Sequence, residues 1–362
     1  MDMEQFGMQM RQGMQSDMEQ LIIQARQLMA SDIHLTVGAD TVIRVNGELK
    51  KFGQRDDIAV NRMIHSILSA EQEKKFTTDG VDLDFSFEIG DGSVQRVNVF
   101  HQNGRAAAAI RLLNTHVPSL EELEMPPILS ELAAKRKGLV LVTGATGSGK
   151  TTTLASMIDD INKKRACHIV TIEDPIEYRY TPGKAIIHQR ELGRDVPDFK
   201  SALKSVLRED PDVILVGEMR DYETIALALT AAETGHLVLA TLHTASAAQT
   251  IDRIIDECPV DVRDQVRMQL ANLLQGVIAQ TLVPRIDDKG GRTAAMEILV
   301  CNDAIRNMIR TNKIAQMTSV MQTSARQGMC TLNDSLARLC KEGIISYDTV
   351  MQYTMDYADA DM

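Results

Sequence analysis

Tryptophan is absent from this chain, and its aromatic side chains stop at six tyrosines and seven phenylalanines. Stacking platforms for single-stranded nucleic acid are built from such rings, so that class of binding has little to rest on. Positive charge is also short. Lys and Arg number 39 against 50 Asp and Glu, a formal net charge of −11. Nucleic-acid binders carry a basic face that neutralises phosphates, and no nucleic-acid partner is expected. No apolar run approaches the roughly 18 residues of a membrane span, so no direct membrane insertion is expected. The first 14 residues are polar and rich in methionine, without the basic start and apolar core of a signal peptide. The five cysteines (Cys167, Cys258, Cys301, Cys330, Cys340) are scattered, odd in number and form no C-x-x-C pair. That pattern suits reduced thiols in a cytosol and argues against a zinc site. Internal repeats, low-complexity linkers and heptad runs are missing too.

What is present centres on Leu139–Thr153, LVLVTGATGSGKTTT. An apolar run, Leu139 to Val142, reads as a buried strand. Gly144 to Thr151 then matches G-x-x-x-x-G-K-[ST] at every fixed position. Glycines let successive backbone N–H groups turn toward one phosphate chain. Lys150 would reach the terminal phosphates of a nucleoside triphosphate, and the Thr151 hydroxyl would hold Mg²⁺. Leu154, Met157, Ile158 and Ile161 follow at i, i+3, i+4, i+7, one face of a helix whose N-terminus meets the same phosphates. The nucleotide-contacting set is Thr146, Gly147, Ser148, Gly149, Lys150, Thr151 and Thr152.

A length of 362 residues suggests two or three domains. Residues 1–15 read as an arm. Residues 16–113 read as a small antiparallel α+β domain. It has a helical stripe at Leu21, Ile22, Ala25, Leu28 and Met29, short alternating strands with an Asn46-Gly47 turn, one helix over 58–76, and three strands between Asp82 and Leu113. A linker over 114–127 holds Pro118, Pro126 and Pro127. From 128 to 362 the pattern turns β-α-β. Leu139–Val142, Ile169–Ile172, Val213–Val216 and Leu237–Leu242 are strands buried on both faces, separated by helices near 151–164, 198–209 and 220–234. The expectation is a parallel, doubly wound α/β sheet with nucleotide at the carboxyl ends of its strands. From Val260 onward the text reads as helical except for a strand at Thr293–Val300.

Three further stretches carry chemistry. TIEDPIEY delivers Glu173, Asp174 and Glu177 on one loop, where three carboxylates repel unless a cation sits among them. Glu173 and Glu177 thereby join Thr151 as candidate Mg²⁺ ligands; the alternative is a solvated acidic loop. DPDVILVGEMRD puts Glu218 at a strand tip to orient and activate the attacking water. Gly217 stands where many P-loop ATPases have an aspartate. TGHLVLATLHT brackets a strand with His236 and His243, roughly 23 Å apart along extended chain, so they cannot share a metal. His243 would face the nucleotide and His236 the opposite end. Arginines could stabilise the spread charge of phosphoryl transfer; Arg96 and Arg111 lie in strands of the small domain, and Arg190, Arg194 and Arg208 surround the second half of the core.

Taken together, GATGSGKTTT (144–153), TIEDPIEY (171–178), REDPDVILVGEMRD (208–221) and LTAAETGHLVLATLHTASAAQTIDRIID (229–256) resemble the type IV pilus retraction ATPases, within the type II/type IV secretion ATPase superfamily. SDIHL (31–35) and the VNVF and IRLL strands resemble that family's N-terminal domain. The resemblance covers roughly residues 16–345 and implies a homohexamer with a PAS-like N-terminal domain and a RecA-like core. It implies ATP between the two domains of a subunit, near a neighbouring subunit. By motif position Glu218 is the implied catalytic glutamate and Glu177 its acidic-box partner. His236 and His243 are the implied histidine-box residues, and Arg96 and Arg111 the implied N-domain arginines at the γ-phosphate. AIRNMIR (304–310) is similar to the AIRNLIR helix of the retraction branch. The implied place of work is peripheral, at the cytoplasmic face of the inner membrane, through a pilus platform protein. A pilus-assembly or type II secretion ATPase is the alternative within the superfamily. A RecA-like nucleic-acid translocase and a non-catalytic nucleotide sensor are alternatives outside it.

Overall fold

A computed structural model describes residues 17–45, 47–113 and 116–354. The arm expected over 1–15, Asn46 of the expected turn, and the tail from 355 lie outside the described residues. The chain divides into two compact units, one of residues 1–116 with Glu177–Arg179, the other of the remainder.

The first unit opens with helix α1 (17–27), which buries Met18, Leu21, Ile22 and Ala25 at helical spacing. Leu28 and Met29, expected on the same stripe, are exposed and lie past its end. Strands β1 (Ala30–Thr36), β2 (Val42–Val45) and β3 (Glu48–Lys51) follow, then helices α2 (Asp57–Ser66) and α3 (Ala70–Asp79). The single helix expected over 58–76 is thus two. Ser69 breaks it by starting a new helix with a capping box, its hydroxyl and the Gln72 side chain satisfying each other's backbone N–H groups. Strands β4 (Leu83–Glu88), β5 (Val94–Gln102) and β6 (Arg105–Leu112) complete an antiparallel sheet of order β3-β2-β1-β6-β5-β4. Its core joins α1, α2 and α3 to one sheet face through Ile33, Leu35, Val97, Val99 and Ile110.

The second unit begins with helix α4 (Ile128–Ala133) and strand β7 (Gly138–Thr143). Helix α5 (Lys150–Lys164), β8 (His168–Glu173), β9 (Ile186–Glu191), α6 (Phe199–Val206), β10 (Val213–Val216), α7 (Tyr222–Glu233), β11 (Leu237–Leu242) and α8 (Ala247–Asp256) follow. Helix α9 (Arg263–Leu273) leads into a long hairpin, β12 (Leu274–Pro284) and β13 (Arg292–Val300). Short helices α10 (Asp303–Arg310), α11 (Met317–Thr323), α12 (Leu332–Lys341) and α13 (Tyr347–Tyr353) close the described chain. The seven-stranded sheet runs β13-β12-β7-β11-β10-β8-β9. β7 to β12 pair in parallel, while β13 lies antiparallel on β12 at the edge. The sheet is therefore mixed, and residues 274–284 are strand where the sequence reads as helix.

Side chains alternate across this sheet, and both faces are buried. Leu141, Ile172, Ile214 and Ala240 pack with α6 to α10 on one side. Val142, Ile169, Leu215 and Leu239 pack with α4 and α5 on the other. Each such buried aliphatic side chain contributes about 1.5–3 kcal/mol relative to exposure. The phosphate loop, Glu173, Glu218 and His243 lie at the carboxyl ends of its parallel strands.

Candidate active site

Gly144 to Gly149 leave β7 and turn into the N-terminus of α5. The turn is tight enough to require glycine at its start. A Cβ on Gly144, at φ +140, would lie 2.3 Å from the Gln280 carbonyl oxygen and 2.5 Å from Ser148 Oγ. The Ser148 N–H donates to the Ala145 carbonyl at 3.2 Å, closing the loop. Lys150 is buried, and its ammonium donates to the Gly144 and Ala145 carbonyls at 2.7 and 3.0 Å. Ser148 Oγ is buried without a hydrogen-bond partner. A loop that curls around a lysine, leaves a buried hydroxyl unsatisfied and feeds a 15-residue helix fits a phosphate chain.

Three neighbouring strands deliver the other groups at their carboxyl ends. Glu218 follows β10. Its carboxylate pairs with Arg220 at 2.7 Å through one oxygen and approaches His243 Nε2 at 3.4 Å through the other. Its side chain is only 14% exposed, whereas that of His243, just past β11, is 48% exposed. The Thr241 hydroxyl donates to the Gly217 carbonyl and ties β11 to the same turn. Glu173, at the end of β8, is buried and accepts from Thr171 Oγ1 at 2.6 Å and Gln189 Nε2 at 3.2 Å. Gly217 is explained by crowding, since a Cβ there would stand 3.1 Å from the Ile172 carbonyl oxygen.

His236 sits at the opposite end of β11. Its Nδ1 donates to the Ala231 carbonyl at 2.8 Å and lies 3.2 Å from the Thr234 hydroxyl, so it caps the end of α7. It does not share a cluster with Glu218 and His243. Glu173 is buried in the second unit and Asp174 is exposed. Glu177 belongs to the first unit, where it lines a pocket with Ser31, Arg111, Leu112, Leu113 and Tyr178. Among the described residues no three His, Cys, Asp or Glu side chains are grouped to hold a metal ion. A Mg²⁺ bound here would draw on Thr151 and substrate phosphates, as this ion commonly does. In the first unit Arg96 and Arg111 are cross-strand partners on β5 and β6, both exposed, with Arg111 Nε donating to Asp32 at 3.1 Å.

Two residues that support the site were not apparent from the sequence. Gln280, on β12, reaches the loop from behind: its Nε2 donates to the Ser148 carbonyl at 2.6 Å and its Oε1 accepts from Thr153 Oγ1 at 2.8 Å. Glu297, on β13, accepts from the Ala247 N–H at 2.7 Å, the first residue of α8, and also binds the Leu332 N–H at the start of α12. Burial pushes its carboxyl up from the usual range, against those two bonds. The available signal was a polar side chain inside each of two largely apolar runs, which means something only once both runs are known to be strands.

Residues 9–352 match the family model described as type II/IV secretion system protein. The chain is 47% identical over 322 residues to the type IV pilus retraction ATPase PilT of Pseudomonas aeruginosa, covering 88% of this chain and 93% of that protein. It is 48% identical over 307 residues to a twitching motility protein of Neisseria gonorrhoeae, covering 84% and 82%. Its fold is similar to the crystal structure of the pilus retraction motor PilT with bound ADP. The TM-score is 0.86 at 45% identity, covering 93% of this chain and 97% of that one.

Proposed function

Because the chain belongs to the type II/IV secretion system protein family, we infer that it is a motor that hydrolyses ATP to retract a type IV pilus. The observation that carries the reading is a phosphate loop with a buried lysine beside two strands that end in Glu218 and His243. The backbone N–H groups of the loop and the Lys150 ammonium bind the phosphates. On binding, Lys150 exchanges two loop carbonyls for phosphate oxygens. Glu218, oriented by Arg220, takes a proton from the attacking water. His243 faces the same carboxylate and would sense the γ-phosphate. Mg²⁺, for which Thr151 and Glu173 are the candidate ligands in this unit, would neutralise charge on the transferring phosphoryl group. Arg96 and Arg111, exposed cross-strand partners, suit an anion.

The chain would work as a homohexamer, with a PAS-like unit over residues 16–113 and a RecA-like unit over 128–362. No described helix is long and apolar enough to cross a membrane. Work at the inner face of the cytoplasmic membrane would therefore require a partner such as the pilus platform protein. Deleting the gene and scoring surface pili tests the proposal. Excess fibres that do not retract are the expected result, and cells without pili would assign the chain to assembly instead.

A further inference from the structure

Gln280 is a buried amide in β12, and the reaction outlined above makes no use of it. Both ends of its side chain are committed to the phosphate loop and the helix behind it. Nε2 donates to the Ser148 carbonyl at 2.6 Å, and Oε1 accepts from the Thr153 hydroxyl at 2.8 Å. A carbonyl can only accept, so the NH₂ end must face Ser148 and the amide has one possible orientation. The main chain of the same residue closes the other side of the loop, since its carbonyl occupies the space a Gly144 Cβ would need.

Peptide geometry supplies the consequence. In a trans peptide the C=O and the following N–H point in opposite directions. With the Ser148 carbonyl drawn toward β12, the Gly149 N–H is turned away from β12. Gly149 is the residue that caps α5, so this N–H is the first donor that an anion at that helix N-terminus meets. Thr153, in the first turn of α5, is tied to the same amide, which holds the loop and helix as one body.

We propose that Gln280 is a positioning residue for nucleotide binding: it holds the Ser148–Gly149 peptide so that the Gly149 N–H is presented to the phosphates. The proposal rests on the nucleotide reading given above and adds to it the residue that fixes the loop.

The test is titration of ADP and ATP onto the full chain carrying Gln280→Glu or Gln280→Met, with Lys150→Ala as a control for the site itself. An ionised glutamate still accepts from Thr153 but opposes the Ser148 carbonyl with a second acceptor. Affinity for ADP is expected to fall about 10- to 100-fold above neutral pH, the worth of one charge-assisted hydrogen bond. A protonated carboxyl can donate as the amide did. Gln280→Glu should therefore recover affinity as pH is lowered, while Gln280→Met should not. In steady state the loss should fall on KM for ATP more than on kcat. Equal losses in both variants at every pH, in step with a lower melting temperature, would mean that Gln280 only fills space, and would overturn the proposal. So would wild-type affinity in both variants while Lys150→Ala fails to bind. If Lys150→Ala itself binds ADP as wild type does, the nucleotide reading fails as well.

Discussion

Changing Gly217 to aspartate would restore the acidic pair that many P-loop ATPases carry at this strand end, yet it should harm this protein. A Cβ at Gly217 stands 3.1 Å from the Ile172 carbonyl oxygen, and 3.4 Å from both the Glu173 Cα and the Phe199 ring. Two of those atoms are backbone of β8. They cannot swing away, because the Gly217 N–H donates to the Ile172 carbonyl at 2.8 Å. Overpacking of this kind costs about 1–3 kcal/mol. The new carboxylate would also lie close to the buried Glu173. Like-charge repulsion between the two carboxylates adds to that cost. The packing part alone, about 1–3 kcal/mol, lowers the melting temperature of a unit this size by about 2–12 °C. Thermal melts of wild type, Gly217→Ala and Gly217→Asp measure it, with the alanine variant carrying only the packing part. Glu218 is the next residue, so turnover should fall in parallel. An aspartate variant that melts with wild type and hydrolyses ATP faster would refute the crowding argument.

Other consequences can be checked separately. Arg306 Nη1 donates to the Ala271 and Asn272 carbonyls, each at 2.9 Å, at the end of α9. Arg306→Ala should cost about 1–2 kcal/mol and speed amide exchange where α9 meets β12; unchanged exchange there would contradict the capping role. Burial pushes the Cys301 and Cys330 thiols up to about 11. The thiolate is the reactive form, so at pH 8 only about 0.1% of each is reactive. Alkylation followed by peptide mapping should be at least about 100-fold slower than for a free thiol and rise about tenfold per pH unit. Labelling at free-thiol rates would show that these sites open.

The strand, loop and helix around Lys150 were legible because each leaves its own mark: an unbroken apolar run, a spaced set of glycines, and a 3.6-residue stripe. The tips bearing Glu218 and His243 were legible for the same reason, as charged or polar residues directly after a buried run. Residues 274–284 were not. LQGVIAQTLVP is apolar on both faces, and a short run of that kind carries neither the alternation of a half-buried strand nor a helical stripe. Missing β12 hid Gln280, because a glutamine in a helix would be an ordinary surface residue. Glu297 was hidden differently. Its partners are the backbone N–H groups of Ala247 and Leu332, far away in sequence, and nothing in its neighbours announces them. The split between α2 and α3 turned on Ser69 and Gln72, a capping box that interrupts a continuous amphipathic pattern.

The central claim is that Lys150 holds the phosphates and Glu218 drives water onto them. Phosphate release by the purified full-length chain, measured beside Lys150→Ala and Glu218→Gln, tests it most directly. Wild type should turn over, and Lys150→Ala should not. Glu218→Gln should bind ATP but release phosphate at least about 100-fold more slowly, the usual worth of a general base. Turnover at the wild-type rate by either variant would contradict the account.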